Sequence, residues 1–186
     1  MNFDINRVIE HIRGTCSSFE GRVAGAVQYA ENALKTEENP DYPCAYVVLD
    51  NETAEDNVGM NEYDQKVNLT FSVIVFVANA ELGDRRGQLM NDQIALLRPE
   101  VFKSLLRYSP DKSLFTPFEF ESGSVIYMDA VRMIYSFDFS TSYRLAYDDT
   151  WQKVEQSDLA QYKQAQVDLL VNQTDPVTGI YSVGDK

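Results

Sequence analysis

The stretch Ala130-Val131-Arg132-Met133-Ile134-Tyr135-Ser136-Phe137-Asp138-Phe139-Ser140-Thr141-Ser142-Tyr143-Arg144-Leu145 decides how this chain folds. Val131, Met133, Tyr135, Phe137, Phe139, Tyr143 and Leu145 alternate with Arg132, Ser136, Asp138, Ser140, Ser142 and Arg144. Successive strand residues point to opposite faces, so this pattern describes a strand with one buried face. Thr141 alone interrupts the apolar row, and Ile134 alone the polar one. The run far exceeds the usual strand of about 5–6 residues. It is therefore expected to project beyond a compact sheet or to pair with something outside it.

A second long strand is read over Lys66 to Ala78. Val67, Leu69, Phe71, Val73, Val75 and Val77 share one face, and Asn68, Thr70 and Ser72 the other, until Ile74 and Phe76 make both apolar. That change marks a strand leaving solvent and entering a covered sheet. Ala45 to Leu49 reads as a short buried strand, and Phe115 to Glu121 and Ser124 to Met128 as two more. The Phe19 to Tyr29 region reads as a strand running into a short helix, Ala30 to Lys35. Asp4 to Arg13 carries Ile5, Val8, Ile9 and Ile12 at helical spacing, with Gly14 ending the helix. Another helix is expected through Leu89, Ile94, Leu97, Phe102 and Leu105, kinked or broken near Arg98 by Pro99, with Asp84 as its N-cap. Glu37 to Pro43 and Asp50 to Asn61 read as loops, the second long, exposed and acidic. Asp149 to Val171 reads as a moderately amphipathic helix, and Thr174 to Lys186 as an extended arm.

The fold class that follows is α+β. A mixed, mostly antiparallel sheet packs against two or three helices in residues 1–147, and residues 148–186 form a C-terminal helical and extended arm. The 186 residues suffice to bury a proper core without staples. With 29 acidic and 16 basic side chains the formal charge is −13. Such a surface repels phosphate backbones and anionic bilayers, which disfavours nucleic-acid binding and membrane docking. Val73 to Ala78, the longest apolar run, is too short to span a bilayer. The first residues, Met1-Asn2-Phe3-Asp4, lack the pattern of a secretory signal. Cys16 and Cys44 are expected to stay reduced, so the setting reads as cytosolic.

Side chains that could carry chemistry do not converge. His11 is the one histidine, and its helical phase turns it away from the Ile5/Ile9/Ile12 stripe toward a solvated or interfacial role. No second imidazole and no closely spaced cysteine pair offers a metal site, and no catalytic triad forms around His11. Gly83-Asp84-Arg85-Arg86-Gly87 lies between a strand and a helix, but it is neither a dinucleotide fingerprint nor a P-loop. It reads as a structural turn, from which Arg85 and Arg86 could meet an acidic neighbour. The Asp50 to Asp56 run fits a calcium loop poorly. Among Glu119, Glu121, Asp129 and Asp138, no spacing selects a hydrolase pair. No catalytic residue, cofactor or metal is expected.

The order of several segments resembles the phage tail terminator, or tail completion, family. Arg22-Val23-Ala24-Gly25-Ala26 precedes a helical segment, and Tyr42-Pro43-Cys44-Ala45-Tyr46-Val47-Val48-Leu49 resembles that family's Pro-small-small-aromatic-Val strand. Gln65-Lys66-Val67 opens the long strand Phe71 to Ala78, and Gly83 to Gly87 leads into a helix. Leu105-Leu106-Arg107-Tyr108-Ser109-Pro110 resembles the family's helix exit, with Arg107-Tyr108 where Gly-Trp is common. The resemblance covers roughly residues 5 to 145. The segment from Asp148 to Lys186 has no counterpart in the compact family pattern.

The resemblance implies a structural virion protein, assembled in the host cytoplasm. It would form a hexameric ring at the head-proximal end of the tail that stops tube growth and meets the head connector. Its implied partners are further copies of itself, the tail tube protein and a neck or connector protein, with a tail sheath as a further candidate. Six copies at −13 each would carry −78 formal charges, an environment to which passing DNA does not adhere. Ring interfaces are head-to-tail and must close. Asp50 to Asn61 and Asp148 to Lys186 are the expected contact regions, with Asp50, Glu52, Glu55, Asp56, Arg85, Arg86, Trp151 and Tyr162 as candidate interaction residues. The alternatives are a neck or connector adaptor of the same particle, or a small acidic protein-binding module.

Overall fold

The computed structural model describes residues 3–34, 41–60, 62–79, 87–158, 164–171 and 175–182. The chain divides into two compact units, Met1–Ala146 and Tyr147–Lys186.

The first unit is built on a five-stranded sheet in the order β1-β2-β3-β5-β4, where β1 is Val23–Gly25, β2 Cys44–Ala54, β3 Asp64–Ala78, β4 Glu119–Met128 and β5 Arg132–Ala146. Only the β1–β2 pair is parallel, so the sheet is mixed and mostly antiparallel, as the alternating patterns predict. β3 and β5 are each 15 residues long and pair along their whole length, from Asp64↔Ala146 to Ala78↔Arg132. The expectation that β5 must overhang or find an outside partner is thus corrected. An equally long neighbour satisfies its backbone within the chain.

Three helices flank the sheet: α1 (Ile5–Thr15), α2 (Ala26–Leu34) and α3 (Gln88–Leu105). The apolar stripes of α1 (Val8, Ile9, Ile12) and α3 (Met90, Ile94, Leu97, Val101, Leu105) close over one sheet face. Beneath them Leu69, Phe71, Val73, Val75 and Val77 of β3 are buried with Phe137 and Phe139 of β5. Phe71 sits at the centre of an aromatic group, its ring centroid 4.7 Å from Phe118, 5.6 Å from Phe139 and 5.8 Å from Phe3. Burying each such side chain contributes about 1.5–3 kcal/mol. On the opposite face Cys44, Tyr46, Ile74, Phe76 and Ile134 form a smaller cluster, against which Tyr29 of α2 packs.

Several boundaries differ from expectation. α1 begins after Asp4, whose side chain accepts from the Asn6 N–H at 3.0 Å, and continues through Gly14 to Thr15. α2 starts at Ala26, so the expected long strand from Phe19 shrinks to β1 after a short helical turn at Ser17–Phe19. α3 is one helix with Pro99 inside it. Its proline costs a backbone donor, but the buried Leu97 and Val101 on either side hold the helix to the sheet. The cap of α3 is Gly87, at φ 67°, and the expected cap Asp84 lies outside the described residues. The two strands expected across 115–128 are one strand, β4, with register shifts at Phe120/Ser122 and Val125/Tyr127. Such bulges break the two-residue alternation, and one strand then reads as two.

The second unit holds a helical turn at Tyr147–Asp149, α4 (Trp151–Asp158), and the antiparallel strands β6 (Gln164–Val171) and β7 (Asp175–Ser182). The helix expected over Asp149 to Val171 therefore ends at Asp158, and the extended arm contains the second strand of a hairpin. β-branched Val167, Val171, Val177, Thr178 and Ile180 suit that hairpin.

Candidate interaction surfaces

The first part of the acidic segment read as a loop, Asp50 to Ala54, is strand. β2 continues through Ala54, with Asn51↔Thr70, Glu52↔Leu69, Thr53↔Asn68 and Ala54↔Val67 paired, after a register shift at Asp50. The polar composition hid the strand, because its residues here are exposed and its pairing with the β3 backbone sets its geometry. The true connection is Glu55 to Tyr63, where the Asn57 carboxamide oxygen accepts from Gly59 N–H at 3.1 Å and Asp64 N–H at 3.0 Å.

The candidate acids part company. Glu52 accepts from the Tyr143 hydroxyl at 3.2 Å, on the face that carries the core. Burial and the neighbouring Glu52 push the Tyr143 phenol above its ordinary range. Glu55 is exposed and takes hydrogen bonds from Asn68 at 2.9 Å and Lys66 at 3.0 Å, which hold its carboxyl below the usual range. Asp56 is exposed in the connection.

Asp50 turns onto the opposite face and meets Asp138 through one serine. The Ser72 oxygen lies 2.5 Å from Asp50 Oδ2 and 2.7 Å from Asp138 Oδ1. Asp138 also accepts from Ser136 and, at 2.6 Å, from Ser122. A hydroxyl has one hydrogen, so Ser72 can donate to only one of the two carboxylates. Burial raises the Asp50 carboxyl above its usual range, and Asp138 adds to that. Burial acts to raise Asp138 as well, but the three serine hydroxyls outweigh it and leave its carboxyl lowered. Ser72 is thus the hydroxyl that the two carboxylates share.

A groove of about 610 Å³ opens beside the ends of the two long strands, with Leu114, Phe115 and Tyr143 among its lining and Lys66, Lys112 and Arg144 around it. Lys66 pairs with Glu55 at 3.0 Å and Arg144 with Asp64 at 2.5 Å. Lys112 has no ion-pair partner among the described residues. None of these groove residues was among the candidates drawn from the sequence. The available signal was the recurrence of basic residues near the start of β3 and the end of β5, which the register pairs as Lys66↔Arg144.

Trp151 is 71% exposed at the start of α4, with Val154 exposed one turn on. Along β4, Val125, Ile126, Tyr127 and Met128 are exposed on a strand that, among the described residues, pairs only with β5. Arg85, Arg86 and Tyr162 lie outside the described residues.

His11, expected in a solvated or interfacial role, is half-buried against its own chain. Its ring stacks on Tyr108 at 3.7 Å, and Nε2 lies 3.0 Å from the Ser104 carbonyl, which makes that nitrogen the protonated one. The end of α3 covers this flank of α1, so the histidine joins two helices. Both cysteines are free and buried, and burial raises both thiols. Among the described residues no three His, Cys, Asp or Glu side chains gather as a metal-binding group. No described helix is long and apolar enough to cross a membrane.

Residues 1–150 match the family model described as phage tail terminator protein, and no curated protein matches the chain. With most of its length matched, the chain belongs to the phage tail terminator family and is a structural component of the phage tail.

Proposed function

We propose that this tail terminator forms a closed hexameric ring that caps the tail tube, stops its polymerisation and presents the surface to which the head or neck is joined. The family match across residues 1–150 carries this reading. The geometry supports it in a second way. The groove, the acidic end of β2 and the β4 edge are unlike surfaces of the first unit, and head-to-tail contacts between unlike surfaces are what a ring requires. The chain works by assembly rather than catalysis. Its partners are other copies of itself, the tube protein, and a neck or connector protein, with the sheath as a further contact. At −13 per chain, DNA passes through the ring without specific binding.

The test is electron microscopy of particles assembled with this protein withheld. Overlong tubes, or finished tails not joined to filled heads, are the expected result. Normal joined virions would overturn the reading.

A further inference from the structure

Resting on that reading, we propose that the groove bounded by Lys66, Lys112 and Arg144 is the receiving half of the contact between copies. Its occupant is the acidic, tryptophan-bearing segment around α4 of a second copy.

The first ground is charge. A chain at −13 repels its own copies, so association must bring a basic patch of one to an acidic patch of the next. Around this groove three cations border an apolar floor. Lys112 keeps its charge free of ion pairing among the described residues. Arg144 uses only Nη1 on Asp64, and its side chain is 62% exposed, so its remaining donors can meet a second carboxylate. The α4 segment offers the opposite sign: Asp148, Asp149 and Glu155 against Lys153, which pairs with Asp148 at 3.1 Å.

The second ground is apolar surface on both halves. Leu114 is 40% exposed beside the groove, while Trp151 and Val154 are exposed one helical turn apart. Tryptophan and arginine are the residues that most often anchor protein interfaces, seated in pockets that exclude water. Trp151 is the one tryptophan of the chain. The two halves are unlike surfaces, so each copy can give its segment to one neighbour and receive one from the other.

The experiment uses the full chain carrying Ser113→Cys beside the groove and Gln152→Cys beside the tryptophan, both positions being exposed. Isolated tails are treated with a short bis-maleimide and separated under denaturing conditions. A ladder of covalently linked copies is expected, and neither single variant should give it. In the same background, Lys112→Glu should cut the linked fraction about tenfold, and adding Glu155→Lys should restore it, as a change of about 1.4 kcal/mol in contact energy would produce. A cross-link confined to single chains would assign the segment to its own groove and overturn the proposal. Tails that contain the protein and have normal length, but give no ladder, would overturn the groove assignment and leave the ring reading standing. Tails of normal length that lack the protein altogether would overturn the ring reading itself.

Discussion

On one face of β3, Leu69, Phe71, Val73, Val75 and Val77 are wholly buried beneath α1 and α3. On the other, Ile74 and Phe76 are buried where Tyr29 of α2 reaches them, and Ser72, Thr70 and Asn68 continue the same row with hydroxyls and an amide. One strand thus contributes to two environments. The covered face is held by close packing, in which a missing methylene has no substitute. The open half of the other face is held by hydrogen bonds around Asp138, each of which competes with water. Stability is concentrated on the first face, and the second is free to carry surface chemistry.

Phe71→Ala should widen that contrast most. It removes a fully buried ring that touches three others, at a cost of about 3–5 kcal/mol, read as a lower urea midpoint. Asp138→Ala strikes the other face. It leaves the Ser72 and Ser136 hydroxyls, 7% and 4% exposed, without their shared acceptor, and should cost about 1–3 kcal/mol by the same measurement. A loss equal to that of Phe71→Ala would erase the distinction between the faces.

Asp50→Asn should act with the opposite sign. Because the folded Asp50 carboxyl is raised, its neutral form is favoured by folding. Its contribution is fully present below the ordinary carboxylate range and is lost as pH rises through the folded value. An amide cannot ionise, so the variant should be more stable than the parent at neutral pH and equal to it in acid. Asp138 runs the other way: its carboxyl is lowered, so its contribution is present above the ordinary range and lost as pH falls through the folded value. Urea midpoints of the parent and Asp50→Asn across the acid range would separate the two. A variant less stable than the parent at neutral pH would count against a raised Asp50 carboxyl. The smallest effect belongs to Thr70→Val, which keeps the β-branch on the open face and should stay within about 0.5 kcal/mol.

The same contrast explains what could be read from the sequence. β3, β5 and the α1 stripe were legible because one face of each is buried, and burial writes a period into the residues. The far half of β2 was illegible for the converse reason: Asn51 to Ala54 are exposed, and their strand geometry comes from Thr70 to Val67 across the ladder. β4 was split in two by its bulges. Among the candidate site residues, composition picked out Asp50, Glu52 and Glu55 as acids. It could not show that Ser72 joins Asp50 to Asp138, which lies 66 residues beyond that serine. The groove escaped for a similar reason, since Lys66, Lys112 and Arg144 come together only through tertiary structure.

The β3–β5 ladder has a mechanical side. Two fully paired strands of 15 residues extend for about 50 Å. A pull along the strand axis shears such a ladder, and its rungs share the load instead of opening one after another. A pull across the axis, applied at one end, would unzip it rung by rung. The sheet is therefore a stiff strut in one direction and a weak seam in the other. A protein that must hold two large bodies together would best meet its load along the strands.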